Sequence, residues 1–244
     1  MKMETLRYGD NFIYLLLEGG RAAVADPGVA DPVLQALERH GVALELILLT
    51  HYHGDHTGGC RELKNTTGCR IAGSTGGTVP LDETVVDGDS ITFAGNTISV
   101  LSVPGHLSHD VAYVVPSTGM LFSGDTLFAA GCGRIFSNDA AAMWRSLCRL
   151  RDLPGNTRLY GGHDYLLENL QFAASIEPGN VDIQKRLELA RTQDLAEAPS
   201  TMEEERRTNP FLRCDNPGIK AAVGLPDAAP ETVFAELRHR KDRW

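Results

Sequence analysis

An α/β fold with two packed β-sheets between helical layers, followed by a small all-helical unit, is what the sequence predicts. Three observations carry that prediction. From Met1 to about Tyr160 short β-rich runs alternate with turn residues and a few helical segments. After Tyr165 no strand pattern remains, and the chain reads as helices punctuated by Pro178-Gly179, Pro199 and Pro226. Four strand-like runs in the first part end in turns that carry histidine or aspartate, where layered α/β proteins present their reactive groups. The expected division is 1–164 for the layered part and 165–244 for the helical unit, which is too small to be an independent folding domain.

The elements follow in order. Phe12 to Glu18 and Arg21 to Ala25 flank Gly19-Gly20, a hairpin signal. Asp31-Pro32 opens a helix through Arg39, with aspartate as the cap and proline in the first turn. Leu44 to Leu49 reads as a buried strand, and Thr57-Gly58-Gly59 turns the chain tightly toward a helix. A second hairpin joins Ile91 to Phe93 and Thr97 to Val103 through Gly95-Asn96. Asn138-Asp139 caps a helix from Ala140 to Arg151, which Pro154-Gly155-Asn156 stops. Four helices are expected beyond it: Tyr165 to Ile176, Val181 to Ala196, Thr201 to Thr208 and Glu231 to Arg240. Overlapping capping boxes in Ser200-Thr201-Met202-Glu203-Glu204 support the third.

Bulk properties exclude some function classes. A formal net charge of −9 on 244 residues argues against general affinity for nucleic acid or anionic membranes. The apolar stretch Phe12 to Leu17 is too short for a secretory or membrane-spanning segment. Five scattered cysteines, with no Cys-x-x-Cys pair, fit reduced thiols in a cytoplasm better than a disulfide framework. The expected location is therefore cytoplasmic; the sequence does not set the oligomeric state.

The densest chemistry lies in Thr50-His51-Tyr52-His53-Gly54-Asp55-His56. Imidazole and carboxylate together suit zinc, iron or manganese, whereas a structural zinc site normally shows closely spaced thiolates. Further ligand-type residues follow apolar runs after a glycine: His106 in Pro104-Gly105-His106, Asp125 in Ser123-Gly124-Asp125, and His163 in Tyr160-Gly161-Gly162-His163. His40, His109 and His239 have no such setting and read as ordinary surface or core residues. Cys132 reads as a structural turn residue, and Glu203-Glu204-Glu205 as a first helical turn favoured by the helix dipole.

This ordered set resembles the metallo-β-lactamase superfamily, and the segments around it narrow the resemblance to glyoxalase II, the hydroxyacylglutathione hydrolases. Gly124-Asp125-Thr126-Leu127-Phe128-Ala129-Ala130-Gly131-Cys132-Gly133-Arg134 is similar to the family's segment that carries the bridging aspartate and begins the glutathione site. Gly162-His163-Asp164-Tyr165 with Asn169-Leu170-Gln171-Phe172-Ala173 resembles its last metal ligand and the helix behind it. Glu205-Arg206-Arg207-Thr208-Asn209-Pro210-Phe211-Leu212-Arg213 resembles its C-terminal signature. The resemblance implies a four-layer αβ/βα sandwich with a small C-terminal helical unit that forms one wall of the substrate site. It implies two divalent metals, zinc first, with iron or manganese as alternatives. His51, His53 and His106 would hold one ion, Asp55, His56 and His163 the other, and Asp125 would bridge them; seven protein ligands exceed what one four- to six-coordinate ion accepts. A hydroxide held between the ions would hydrolyse an S-acylglutathione, with Asp55 among the catalytic groups. Arg134, Tyr165, Asn169, Arg206 and Arg213 would contact the glutathione part, Arg134 and Arg206 each clamping a carboxylate, with Arg213 secondary because it lies at the end of its motif.

The chain departs from the family pattern at Leu107-Ser108-His109-Asp110, at Phe136, at Ser137-Asn138-Asp139 and at Asp164. These differences leave the ligands intact but bear on substrate preference, for which S-D-lactoylglutathione is the first expectation. Alternatives are a lactonase, a β-lactamase or another thioesterase on the same scaffold, or an iron-dependent sulfur dioxygenase. The run from Arg206 to Arg213 has no purpose in a lactonase or β-lactamase, and a single iron would leave ligands unused.

Overall fold

The computed structural model describes residues 1–193 and 199–244. The chain divides into two compact units: Met1–Ser102, His109–Gly124 and Tyr160–Asp164 form one, and Val103–Ser108, Asp125–Leu159 and Tyr165–Trp244 the other.

In the first unit, β1 (Lys2–Tyr8), β2 (Asn11–Glu18), β3 (Arg21–Ala25), β4 (Ala43–Leu49), β5 (Arg70–Gly73) and β6 (Glu83–Thr84) lie side by side in chain order. The first three are antiparallel and the last three join in parallel. Helices α1 (Asp31–His40), α2 (Gly54–Thr57) and α3 (Cys60–Thr67) belong to the same unit. In α1, Asp31 stands inside the first turn, and Ala30 occupies the cap without a side-chain bond, so the predicted aspartate cap is corrected by one position.

Strand β2 is buried on both faces, which is why it reads as an unbroken apolar run. Ile13 and Leu15 join a core with Val33 and Leu37 of α1 and Leu63 of α3. On the other face the Tyr14 ring lies 5.6 Å from Phe122 and 5.2 Å from Tyr160, which belong to the second sheet. That sheet contributes β7 (Ser90–Phe93), β8 (Asn96–Ser102), β9 (Val111–Val115) and β10 (Met120–Gly124) to this unit, with the Tyr160-Gly161 end of β11 (Arg158–Gly161) beside β10. Tyr113 Oη on β9 donates to the Leu49 carbonyl at 2.9 Å, and Val111 N donates to the Thr50 carbonyl at 2.9 Å. Two sheets facing each other, with helices on the outer face of the first, give the α/β sandwich that the sequence predicts.

Four strands of this unit escape the sequence reading. β1 is a half-exposed edge carrying Lys2, Glu4 and Arg7, while β5 and β6 are very short. Continuous burial of β9 removes the alternation that marks a strand.

The second unit begins its helical part with α4 (Ala140–Arg151), where Asp139 Oδ1 accepts from Ala142 N at 2.7 Å, as the sequence predicts. The Arg158-Leu159 end of β11 pairs with β12 (Ser200–Thr201). This corrects the expectation that no strand follows Tyr165: two residues satisfy their backbone in the sheet just before a helix starts. The helices are α5 (Leu166–Ile176), α6 (Val181–Thr192), α7 (Met202–Thr208), α8 (Pro217–Ala222) and α9 (Pro230–Asp242), with a 3₁₀ turn at Pro210–Leu212. Predicted to reach Ala196, α6 ends at Thr192, and positions 194–196 lie outside the described residues. α8 and the 3₁₀ turn are too short to leave a helical period in the sequence. Phe211 centres this unit's core, with ring centroids 5.8 Å from Phe172 on α5 and 6.1 Å from Phe234 on α9. No helix of the described residues is long and apolar enough to cross a membrane.

Candidate metal centre

Strand β4 delivers the His51 to His56 loop. Thr50, at its end, donates its backbone N–H to Asp26 Oδ1 at 2.8 Å and its hydroxyl to Asp26 Oδ2 at 2.6 Å. Asp26 follows β3 directly and is 4% exposed. The same Oδ2 lies 3.2 Å from His56 Nδ1, while Thr50 Oγ1, its proton already given, lies 3.0 Å from His51 Nδ1. Both imidazoles can therefore keep their proton on Nδ1 and turn Nε2 outward as a ligand. The sequence reading gave Asp26 no role in the site, although Asp26-Pro27-Gly28 right after a strand is a visible signal.

Gly54 starts α2, which turns Asp55 and His56 to the same side as His163. His56 Nε2 and His163 Nε2 are 3.3 Å apart, and Asp55 Oδ2 is 3.8 Å from the first and 3.5 Å from the second. A tetrahedral ion with bonds of 2.0–2.1 Å has ligand–ligand edges of about 3.3–3.4 Å, so these three atoms already outline one face of such a site. Two imidazoles and a carboxylate are also the donor chemistry that zinc, iron and manganese accept. Burial acts to raise the Asp55 carboxyl. Donation from Asn11 Nδ2 and the neighbouring imidazoles of His56 and His163 outweigh it, leaving the group below its ordinary range and ionised at neutral pH. His51 and His53 stand with ring centroids 4.9 Å apart. The unit thus brings together His51, His53, Asp55, His56 and His163.

The second unit holds His106 and Asp125, with His106 Nε2 3.5 Å from Asp125 Oδ2. His106 Nδ1 lies 2.8 Å from the Arg134 carbonyl, which only a protonated Nδ1 can satisfy, so Nε2 is the nitrogen left to serve as a ligand. The glycines before His106 and Asp125 have a steric reason. At Gly105, φ is +153° and a Cβ would sit 2.6 Å from Met143 Cα; in the first unit, at Gly124, φ is +50° and a Cβ would sit 2.2 Å from Thr50 Oγ1.

Beyond Asp125 the chain makes a tight turn at Phe128–Gly131, with Ala130 at φ +57°. Three buried side chains grip its backbone. Glu205 Oε2 accepts from Ala130 N at 2.8 Å, Asn169 Nδ2 donates to the Ala129 carbonyl at 3.1 Å, and Asn209 Nδ2 donates to the Gly131 carbonyl at 3.0 Å. Arg186 Nη1 pairs with Glu205 Oε1 at 2.8 Å, neutralising a carboxylate with no solvent exposure. Glu205 is indeed in the first turn of α7, but its burial and its hold on the turn were invisible in a run of three glutamates. Arg238, also missed, donates from Nη1 to the Cys132 carbonyl at 2.8 Å.

The candidate substrate residues divide. Arg134 is exposed, and Tyr165 is half-buried with its ring edge-on to Phe128 at 5.5 Å. Asn169 is 3% exposed and turned to Ala129. Arg206 donates from Nε to the Arg151 carbonyl at 2.8 Å and from Nη2 to the Arg151 and Leu153 carbonyls, closing the C-terminus of α4. Arg213 pairs with Glu177. Phe136 is 55% exposed and packs edge-on against His106 at 5.2 Å. Burial pushes the Cys132 thiol up to about 11, which fits a turn residue and not a nucleophile.

Comparison with known proteins adds to this geometry. Residues 7–163 match the family model described as metallo-beta-lactamase superfamily, and residues 164–244 match the one described as hydroxyacylglutathione hydrolase C-terminus. Among curated relatives, a hydroxyacylglutathione hydrolase of Methylococcus capsulatus is 46% identical over 96% of this chain and 94% of its own. One of Rhizobium meliloti is 43% identical over 96% and 95%. Among solved structures, ETHE1 from Myxococcus xanthus superposes with a TM-score of 0.70 at 23% identity, covering 99% of this chain and 90% of its own. A protein solved in a di-iron-bound form has a TM-score of 0.63 at 25% identity, covering 86% of this chain and 100% of its own.

Proposed function

Since the chain belongs to the hydroxyacylglutathione hydrolase family of the metallo-β-lactamase superfamily, we propose that it hydrolyses S-acylglutathione thioesters, S-D-lactoylglutathione first among them, to a hydroxy acid and glutathione. One observation carries the reading: the two family models divide the chain between them, the first ending at its last metal-type histidine and the second running to the C-terminus. The lactonase, β-lactamase and dioxygenase alternatives give no account of the second match.

In this reading His51, His53 and His106 serve one divalent ion, Asp55, His56 and His163 the other, and Asp125 both. Zinc is the proposed metal, with iron and manganese compatible with the same donors. When bound, such a pair supplies a water-derived nucleophile at neutral pH and polarises the thioester carbonyl. Asp26 Oδ2 lies 3.2 Å from His56 Nδ1 and Thr50 Oγ1 3.0 Å from His51 Nδ1, an arrangement that supports the ligating tautomer of both rings. Asp55, ionised at neutral pH, would offer its carboxylate to the second ion and to the hydrolytic centre beside it. A thiol with a pKa of about 8.5 leaves as thiolate, so no strong general acid is required of the chain.

Arg134, with its fork of N–H groups, clamps a glutathione carboxylate, and Tyr165 adds a hydroxyl beside it. Asn169, Arg206 and Arg213 belong to the same substrate wall, and their contacts with Ala129, Arg151 and Glu177 support a role in holding it in shape. Five free cysteines support a cytoplasmic setting.

The test follows loss of thioester from S-D-lactoylglutathione by metal-replete protein, beside a non-glutathione thioester of the same acid and a β-lactam. Rapid turnover confined to the glutathione thioester is expected. In Arg134→Ala, KM for that substrate should rise about 10–100-fold, the worth of a charge-assisted contact. Cleavage of the lactam without the thioester would overturn the reading.

A further inference from the structure

We infer that Asn11, which opens β2 directly after the β1–β2 turn, is the positioning residue that fixes Asp55 and His163 for the second metal ion; the inference rests on the dinuclear reading above. Asn11 is 6% exposed. Its Nδ2 donates to Asp55 Oδ2 at 3.0 Å and to the Asp55 carbonyl at 3.2 Å, so one amide holds both the rotation of the carboxylate and the backbone that carries it. A carboxylate oxygen has two lone pairs, and Oδ2 keeps one toward the imidazoles while accepting from Asn11. The constraint matters because the Asp55 side chain is 45% exposed and without a donor would rotate toward water.

The same turn holds His163 through the main chain. Asn11 stands opposite His163 in an antiparallel bridge. On one side Phe12 N donates to the Gly162 carbonyl at 2.9 Å, and on the other Asp164 N donates to the Asp10 carbonyl at 2.8 Å. Arg7 pairs with Asp164 and lies over the Phe12 ring at 5.3 Å, closing the bracket. Two of the three ligands of one ion are thus set by a single turn at the start of the chain. Only a short neutral donor suits this position: aspartate would repel Asp55, and an apolar residue would leave the carboxylate unheld.

The test is a chelator-competition titration of zinc into metal-free wild type, Asn11→Ala and Asn11→Leu, with the thermal midpoint of each metal-free form measured alongside. Wild type should take two ions. Both variants should bind one with wild-type affinity and the other about 10–100-fold more weakly, the usual consequence of losing a group that orients a ligand. Leucine keeps the bulk of asparagine without its donor, so equal losses in both variants identify donation as the cause; should the alanine variant fail to fold, the leucine variant alone decides. Unchanged affinity for both ions, or a leucine variant that binds like wild type, would overturn the inference while leaving the dinuclear reading in place. A wild type that takes only one ion would overturn both.

Discussion

Asp26 sits at φ +50°, in a region that few non-glycine residues visit, and its carboxylate engages Thr50 and His56 together. A strained residue at that point makes sense because its carboxylate meets Thr50 and His56 at the base of the candidate metal centre. The cysteines show the opposite case, reactive groups made inert by their surroundings. Burial pushes Cys60 up to about 12 and Cys132 to about 11, and raises Cys69, Cys148 and Cys214 as well. Every thiol is therefore protonated at neutral pH, and only Cys148 is not buried. A thiol-reactive dye at pH 7.5 should modify at most one cysteine in the native protein, without loss of hydrolysis, and all five after unfolding. Rapid native modification of several would contradict the packing described.

At the scale of elements, α7 and the turn after Asp125 are joined by charge. Glu205 and Arg186 form a buried pair whose members also hold Ala130 N, Ser200 and Thr208. Removing one partner of such a pair leaves an uncompensated buried charge and costs about 3–5 kcal/mol. Glu205→Ala should therefore destabilise strongly in denaturant titrations. The double variant with Arg186→Met should recover part of the loss, because no charge is then stranded; if the two losses simply add, the pair is not coupled. This explains why the C-terminal signature extends backward from Asn209 to Glu205. Phe211 packs the core, while Glu205 and Asn209 reach the same turn from one helix end.

For the whole molecule, metal binding should be linked to folding, since the candidate ligands come from distant parts of the chain. At a free ion concentration 100 times Kd, one site stabilises by about 2.7 kcal/mol, or roughly 5–10 °C in unfolding midpoint for a chain of this size. Chelation should lower the midpoint by that order and re-addition of zinc should restore it; an unchanged midpoint would mean that the ligands are not occupied. Much of the fold was legible because β2 and β4 are long apolar runs and α4 carries its own cap, all local signals. Strands such as β12 left no signal, being two residues long and defined only by a partner. The sequence by itself determined the candidate ligand residues, their order along the chain and the α/β class, because donor chemistry and hydrophobic periodicity are properties of residues and their spacing. Only the tertiary structure decided that Asp26 meets Thr50 and His56, that Asn11 meets Asp55, that Glu205 holds the Ala130 turn and that Arg206 closes a helix. Those roles depend on which donors and acceptors meet across the fold, and hydrogen-bond partners far apart in the chain leave no periodicity to read.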